Sequence, residues 1–231
     1  RAASGALIAR QCWDTTTVLT PALDLALSYL RMTLHVCRGR SVSMDPLGRR
    51  PIIIYSDASI GAPRVGGLRC GAVVRTPSRT LYTSFDIPSW VVSTWENRQT
   101  QITVAELIVA PILALTAPDI LRDQDVFWFI DNQSALACLV KTSSKAGDLA
   151  ELSLLSGLAL AAMGARTWYD YVPSALNIAD GLSRDGWADV LTMEIAANFG
   201  WEPLTLDIPW HLFCTGVGFE FLQRYLASLV D

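Results

Sequence analysis

The chain has 231 residues and a formal net charge of −4, with 51% hydrophobic and only 17% charged residues. This length suits one domain with extensions or two small domains, and the acidic balance gives no general attraction to phosphate backbones. The five cysteines form no CxxC pair, which disfavours a zinc site or a disulfide framework.

The apolar composition predicts either a large core or an apolar surface that a protein partner covers. No segment reaches the ~20 apolar residues that a membrane helix needs, so no membrane association is expected. The opening RAASGALIAR lacks an initiating Met and is expected to belong to a fragment or a processed chain, not to a signal peptide. The cysteine usage fits a reducing compartment. We therefore expect an intracellular location, cytoplasmic or nuclear, and not secretion.

The chain begins with a predicted helical segment and a basic linker, together residues 1–49. Within residues 15–36, four leucines recur at helical spacing, namely Leu23, Leu27, Leu30 and Leu34. Residues 38–51 are basic and interrupted by Gly and Pro, which favours a domain boundary there.

Residues 50–186 are predicted to form one domain. Apolar, β-branched and alternating runs indicate strands at 52–55, 70–76, 80–87, 126–130 and 165–173. Helical segments are expected at 101–116, 132–140, 149–165 and 175–183. A kink or a break is expected at Pro111, since an interior proline costs about 3 kcal/mol. The order β-β-β-α-β-α-α-β-α predicts an α/β (α+β) fold, a five-stranded mixed sheet flanked by helices, with helical N- and C-terminal extensions.

The C-terminal extension, residues 187–231, is expected to end in an amphipathic helix at 218–229. We predict that this extension packs back on the core or on a partner through Trp201, Trp210 and Phe221.

Four acidic residues, Asp57, Glu106, Asp131 and Asp180, lie at positions that a purely structural role does not explain well. Asp57 is expected to end the first strand, and Asp131 the fourth, while Glu106 lies within an apolar helix and Asp180 follows the last strand. Taken singly, Asp57 suits an Asx turn, Asp131 a helix cap and Asp180 an exposed surface. Glu106 is harder to explain, because an ionised carboxylate in an apolar face costs several kcal/mol unless it is paired or binds metal.

Taken together, the acids favour a metal site. If the first and fourth strands are adjacent and parallel, Asp57 and Asp131 project at the same sheet edge, where ligands bind in α/β folds. Carboxylates without a His or Cys cluster favour Mg²⁺ or Mn²⁺ over zinc. Two such ions about 3.5–4 Å apart can hold the attacking and leaving oxygens of a phosphodiester.

Four motifs carry a family resemblance: YSDAS, AEL, FIDNQSAL and VPSALNIADGLSR. In this order they resemble the ribonuclease H domain of retroelement reverse transcriptases, above all of DIRS-type and LTR-like elements. The resemblance covers roughly residues 50–186, and VPSALNIADGLSR is its most specific part. It implies a ribonuclease H-like fold, Mg²⁺- or Mn²⁺-dependent endonucleolytic hydrolysis of the RNA strand of RNA/DNA hybrids, and a polymerase domain in the same polyprotein.

The resemblance also implies roles for single residues. Asp57 would bridge two ions, Glu106 and Asp131 would complete one of them, and Asp180 the other. Asp185 is a rival for the last position, although the NIAD match favours Asp180. The residues expected to touch substrate are Ser59, Asn132, Ser134, Lys141 and Lys145. The histidine that cellular ribonucleases H often carry before the last acid is missing from VPSALNIAD.

An alternative of a different class remains open. A retroelement-derived domain can be recruited as a non-catalytic structural or binding subunit of a larger complex. The low charge and the eight tryptophans favour that hypothesis, whereas the four retained acids speak against it. An open groove beside Asp57 would favour the enzyme, and a covered site would favour the structural subunit.

Overall fold

The computed structural model describes residues 27–28, 30–31, 34, 50–60 and 67–216. The described residues of the predicted N-terminal helix are helical, and their leucine side chains are exposed. Most of the basic linker and the predicted helix at 218–229 lie outside the described residues. The domain boundaries at 49/50 and 186/187 stay predictions.

The described residues form a six-stranded mixed sheet. Its strands are β1 (Ile52–Ile60), β2 (Leu68–Arg75), β3 (Thr80–Ile87), β4 (Asp125–Ile130), β5 (Arg166–Tyr171) and β6 (Glu202–Pro203). The spatial order is β5-β4-β1-β2-β3-β6. Strands β1, β2 and β3 form an antiparallel meander, whereas β4 pairs parallel with both β1 and β5. The predicted mixed sheet flanked by helices is confirmed.

The predicted number of five strands is wrong by one. Strand β6 is two residues long and pairs parallel with Leu81 and Tyr82 of β3. It lies in the C-terminal extension and carries a proline, which is tolerated at a sheet edge. Its sequence has no strand pattern, and only the tertiary position of the chain there produces the pairing.

The helices of the described chain lie between and after the strands. They are α1 (Ser89–Val92), α2 (Ile102–Thr116), α3 (Pro118–Leu121), α4 (Gln133–Lys141), α5 (Gly147–Ala162), α6 (Asp180–Arg184) and α7 (Val190–Phe199). Short 3₁₀ turns occupy 174–176, 186–188 and 210–213. Helix α2 runs through Pro111 without the break that the sequence suggested, because every residue from Val104 to Leu115 is buried and packing offsets the lost hydrogen bond.

Hydrophobic clusters lie on both faces of the sheet. Ile54 and Trp128 are partners in the β1–β4 pairing and face the main core, together with the apolar side chains of α2 and α5. The Trp128 indole donates a hydrogen bond of 2.9 Å to the Ser56 hydroxyl, which satisfies both buried groups. On the opposite face, Val73 and Tyr82 pack with Leu182 of α6. The sheet is therefore held between two layers of helices over β2 and β3.

The described part of the C-terminal extension packs back on the sheet. Trp201 lies 6.4 Å from Tyr82, and Trp210 lies 6.0 Å from Phe85, between ring centroids. Phe213 is fully buried, and its carbonyl accepts a bond of 3.1 Å from the Trp95 indole. Phe221 lies outside the described residues. None of the helices in the part of the chain that the structure describes is long and apolar enough to cross a membrane.

Candidate metal centre

Asp57 lies within β1 and not at its end. The strand continues to Ile60 because residues 57–60 pair with residues 68–71 of β2. Asp57 is opposite Gly71 and is only 4% exposed. The expectation that Asp57 ends the strand is therefore wrong, because the parallel pairing with β4 stops one residue earlier, at Ser56, while the antiparallel pairing goes on.

Asp131 stands beside Asp57, as the sequence predicted. Strands β1 and β4 are adjacent and parallel, and Ser56 pairs with Ile130. The next residue on each strand is an aspartate, so the two acids leave the sheet at the same level. Asp131 is half-buried, and the Ser174 hydroxyl donates to its Oδ2 over 2.5 Å.

Glu106 reaches the same point from helix α2. It is only 4% exposed, and the backbone N–H of Ala58 is hydrogen-bonded to it. One carboxylate oxygen each of Asp57, Glu106 and Asp131 lie within 4.8 Å of one another. Sheet and helix thus bring together three of the four predicted acids, which are separated by 49 and 25 residues in sequence.

Asp180 begins helix α6 and lines the same cleft as the other three acids. It lies outside the group of three carboxylates that approach within 4.8 Å. Arg184, one helical turn later, contacts Asp180 Oδ1 through both Nε and Nη2 at 2.9 Å. Asp185, the rival position, lines the cleft as well.

Three hydrogen bonds between the sheet and the segment that carries Asp180 hold this segment in place. Asn177 donates to the Ser56 carbonyl over 2.9 Å, and its own Oδ1 accepts from the Ala179 N–H. Ser59 donates to the carbonyl of Ser183 over 2.6 Å. Ser84 donates to the carbonyl of Leu182 over 2.8 Å. Strands β1 and β3 therefore fix where α6 lies.

The crowding of acids raises two pKa values. Burial is the largest cause for Asp57, and with the charges of Asp131 and Asp180 it raises the pKa of Asp57 from 3.8 to about 7, against the opposing bond from Ser183. Burial, followed by the charges of Asp57 and Asp131, raises the pKa of Glu106 from 4.5 to about 10. Both carboxyl groups therefore resist ionisation unless a positive charge comes close.

The donor set fits a divalent cation. Glu106 Oε2 is buried and has no hydrogen-bond partner among the described residues. No ion pair within the described chain involves Asp57, Glu106 or Asp131, since those at the cleft and elsewhere use other acids. The cleft is open to solvent and has a volume of about 410 Å³. Carboxylate oxygens without nitrogen or sulfur donors suit Mg²⁺ or Mn²⁺.

The residues expected to touch substrate differ in position. Ser59 lines the cleft, although its hydroxyl is bonded to Ser183. Asn132 caps α4, and its Oδ1 accepts from the N–H groups of Ser134 and Ala135 at 3.0 and 3.1 Å. Ser134, Lys141 and Lys145 are exposed and do not line the cleft. Their roles toward a substrate stay predictions.

Sequence reasoning did not single out four residues that contact the acids or position them: Ser174, Asn177, Ser183 and Arg184. All four lie within VPSALNIADGLSR, which was read only as a motif. Ser183 is fully buried, and its hydroxyl donates to Asp57 Oδ2. The one available signal was the polar spacing of the motif after an apolar strand, which does not say which side chain meets which acid.

Two of the solved structures that are similar to this chain are ribonuclease H proteins. One is an N-terminal RNase H domain from Mycobacterium tuberculosis, solved as a fusion with maltose-binding protein, with 20% identity and a TM-score of 0.37 over 65% of this chain and 98% of that chain. The other is RNase H1 from the halophilic archaeon Halobacterium salinarum, with 18% identity and a TM-score of 0.39 over 58% and 94%. No protein-family model matches the sequence, and no curated protein matches it.

Proposed function

We propose that this chain is a metal-dependent ribonuclease H, which hydrolyses the RNA strand of RNA/DNA hybrids endonucleolytically. The observation that carries the proposal is the convergence of Asp57, Glu106 and Asp131 within 4.8 Å in an open cleft that Asp180 also lines. These four acids are the ones that the ribonuclease H resemblance of the motifs singles out. A strand, a helix, a strand end and a helix start supply them, in that order along the chain.

The open cleft supports an enzyme over a recruited structural subunit. The cleft has a volume of about 410 Å³ and is open on one side. Its lining includes Ser59, Asp131, Ser174 and Asp180. A carboxylate that serves only packing does not need a neighbour of the same charge, because like charges at this distance destabilise each other. The cost of bringing three acids together is understandable if a cation and a phosphodiester are bound there.

Two Mg²⁺ or Mn²⁺ ions are proposed as the cofactors. Asp57 would contribute to holding both ions, Glu106 and Asp131 would hold one of them, and Asp180 the other. When bound, such ions activate water as the nucleophile and stabilise the charge that develops on the phosphodiester oxygens. The protein side chains supply the position of each oxygen ligand, and their hydrogen-bond partners orient them. Ser174 holds Asp131 in this arrangement through the bond of 2.5 Å to Oδ2.

Proton movement in the site falls to carboxyl groups and water. The loop before Asp180 carries no histidine, and His211 lies in the 3₁₀ turn at 210–213, away from the cleft lining. With a pKa of about 10, Glu106 holds a proton near neutral pH, whereas Asp57, with a pKa of about 7, is about half protonated there. Loading of the site with divalent cations is therefore expected to release protons to solvent.

We further propose that the chain works beside a reverse transcriptase polymerase domain of the same retroelement polyprotein. Support comes from the motif VPSALNIADGLSR and from the helical and basic character of residues 1–49 in the sequence. A polymerase partner would also supply the hybrid affinity that an acidic chain lacks, since phosphate binding depends on Lys and Arg contacts. Coexpression with the adjoining polymerase region, followed by copurification, tests this part separately.

Hydrolysis of a labelled RNA/DNA hybrid in Mg²⁺ or Mn²⁺ tests the main proposal. Wild-type protein is compared with Asp131→Asn, which keeps the shape of the acid and removes its charge. The matched control is Asp125→Asn, at the other end of β4, where the acid pairs with Arg166 and lies outside the cleft. We expect RNA-strand cleavage by wild type and Asp125→Asn, and at least about 100-fold less by Asp131→Asn.

Two results would count against the enzyme. Folded wild-type protein without any cleavage, and without stabilisation by Mg²⁺ or Mn²⁺, would favour the recruited structural subunit instead. Equal cleavage of RNA/RNA and RNA/DNA duplexes would contradict the hybrid as the substrate and would point to a less selective nuclease.

A further inference from the structure

Ser183 occupies an unusual place in the metal centre. It lies in α6 three residues after Asp180 and is fully buried. Its hydroxyl donates to Asp57 Oδ2, and the backbone carbonyl of Asp180 lies 2.9 Å from the same hydroxyl oxygen. A single serine side chain thus connects the acid of β1 with the helix turn that presents the acid of α6.

The bond to Asp57 is not needed to satisfy the buried hydroxyl. A serine in a helix can donate to a carbonyl one turn earlier, and the Asp180 carbonyl lies at a suitable distance for this. A hydroxyl has one hydrogen and can donate it to only one acceptor at a time. Both acceptors lie within hydrogen-bond distance of the Ser183 hydroxyl, and the carboxylate is the stronger of the two when it is ionised.

The backbone of Ser183 is fixed by groups other than its own side chain. The Ser59 hydroxyl holds the Ser183 carbonyl, and the Ser84 hydroxyl holds the neighbouring carbonyl of Leu182. Gly71 leaves room for the close approach, since a Cβ atom there would stand 2.7 Å from the Ser183 nitrogen. Removal of the Ser183 hydroxyl should therefore leave α6 in place and free only the Asp57 carboxylate.

From this we infer that Ser183 is a positioning residue of the metal centre, which fixes the rotation of the Asp57 carboxylate so that it faces Glu106 and Asp131. The inference rests on the proposed function, because it assigns Ser183 a role toward the ions of that site. A carboxylate without a fixed partner turns about its Cα–Cβ and Cβ–Cγ bonds and must be ordered each time a cation binds. Hydrogen-bond partners of metal ligands typically contribute 10- to 100-fold to metal affinity or activity, to order of magnitude.

The test compares Ser183→Ala with Ser153→Ala. Both changes remove a buried helical hydroxyl, but Ser153 lies in α5, bonds only to the Leu149 carbonyl of the same helix and does not line the cleft, whereas Ser183 contacts Asp57. Mn²⁺ affinity is measured by calorimetry, together with the melting temperature of the metal-free protein and with kcat and KM for the hybrid. We expect Ser183→Ala to weaken Mn²⁺ binding about tenfold or more and to lower kcat similarly, with KM nearly unchanged. Ser153→Ala should keep both values within about twofold, even where it lowers the melting temperature.

A second variant guards against a folding defect. Ser183→Cys keeps the approximate size of the side chain and replaces the hydroxyl by a weak donor, and it should lose Mn²⁺ affinity in the same direction. Unchanged Mn²⁺ affinity in both folded Ser183 variants would overturn the inference, as would equal losses in Ser183→Ala and Ser153→Ala. Wild-type protein that binds Mn²⁺ but cleaves no hybrid would refute the proposed function alone, while the affinity of the variants still decides the role of Ser183. Wild-type protein that binds no Mn²⁺ would refute both.

Discussion

Gly71 of β2 lies directly beneath Leu182 of α6, so that a Cβ atom on Gly71 would stand 2.6 Å from the Leu182 Cβ. The same atom would come within 2.7 Å of the Ser183 nitrogen and 2.9 Å of the Ala179 carbonyl oxygen. Two of these three neighbours are backbone atoms, which cannot turn aside as a flexible side chain can. The absence of a side chain at Gly71 is thus what allows Asp180 and Ser183 to lie beside Asp57.

We predict that Gly71→Ala displaces α6 and damages the site more than the rest of the fold. The overpacking should cost about 1–3 kcal/mol of unfolding free energy, and misplacement of Asp180 and Ser183 should reduce hybrid cleavage by at least about tenfold. Gly157→Ala is the control, because its Cβ would meet only the side-chain end of Thr142, at 3.0 Å. Urea unfolding and cleavage assays check both. Full activity in Gly71→Ala would contradict the prediction.

The metal-free protein is predicted to lose stability as the pH rises. Burial and neighbouring acids raise the pKa of Asp57 from 3.8 to about 7 and that of Glu106 from 4.5 to about 10. Between the unfolded and folded pKa values the native protein binds more protons than the unfolded chain, so the unfolding free energy falls with rising pH through that window. Melting temperatures in a chelator should therefore decrease from about pH 5 to about pH 8, and the stabilisation by Mg²⁺ should grow over the same range.

The salt bridge between Arg98 and Asp148 does not affect the predicted fall in stability between about pH 5 and about pH 8. Burial raises the pKa of Asp148, but the bonds from Arg98 and from backbone N–H groups outweigh burial, and the net pKa lies below 3.8. Its contribution to stability is present above the unfolded pKa and is lost only as the pH falls through the folded value. A metal-free melting temperature that stays level or rises between about pH 5 and about pH 8 would therefore count against the raised pKa values of the site.

Glu106→Gln should stabilise the metal-free protein and remove its response to Mg²⁺. The amide keeps the shape of the side chain and is neutral without a proton. The native carboxyl group must take up a proton on folding, because burial and the charges of Asp57 and Asp131 raise its pKa to about 10. At about pH 8 we expect a melting temperature several degrees higher than that of wild type in a chelator, with no further rise in Mg²⁺. The exposed Glu194 on α7 provides the control Glu194→Gln, which should change neither value. A lower melting temperature for Glu106→Gln would contradict a destabilising carboxylate.

Arg98 is predicted to matter more to stability than any exposed arginine of the fold. Its guanidinium binds both oxygens of Asp148, whose side chain is fully buried at the start of α5. Arg98→Ala leaves that carboxylate without its cation and should cost about 3–5 kcal/mol. Arg79→Ala breaks an exposed pair with Glu202 and should cost no more than about 1 kcal/mol. Urea unfolding near neutral pH distinguishes them, and equal effects would contradict the argument from burial.

The predicted elements agree with the structure where the sequence pattern is local and strong. Strand β3 was predicted at 80–87 and is observed from Thr80 to Ile87, because alternation and the Pro77–Ser78 turn define both ends. Strand β4 and helix α4, on either side of Asp131, begin and end within one residue of their predicted bounds, and Asn132 caps the helix. These features depend on side chains within a few positions of each other, which the sequence displays directly.

The predictions failed where distant contacts override local pattern. Helix α2 is continuous at Pro111 because its surroundings are buried on all sides, and β6 exists because Leu81 and Tyr82 offer free pairing groups at the sheet edge. Strand β1 is longer than the apolar segment 52–55 that predicted it, because β2 continues to pair with it past Asp57. In each case the residues that stabilise the element lie far from it in sequence, so the local sequence around the element does not reveal them.

The sequence by itself determined the types of element, the mixed character of the sheet and four acids at positions that local packing does not explain. Hydrophobic periodicity and the cost of burying a charge suffice for that, because both are properties of single residues and their near neighbours. Only the tertiary structure decided that Asp57, Glu106 and Asp131 meet within 4.8 Å, that Gly71 makes room for α6, and that Ser183 contacts Asp57. These contacts join residues up to 126 positions apart, and their geometry follows from strand register and helix packing, which depend on the whole folded chain.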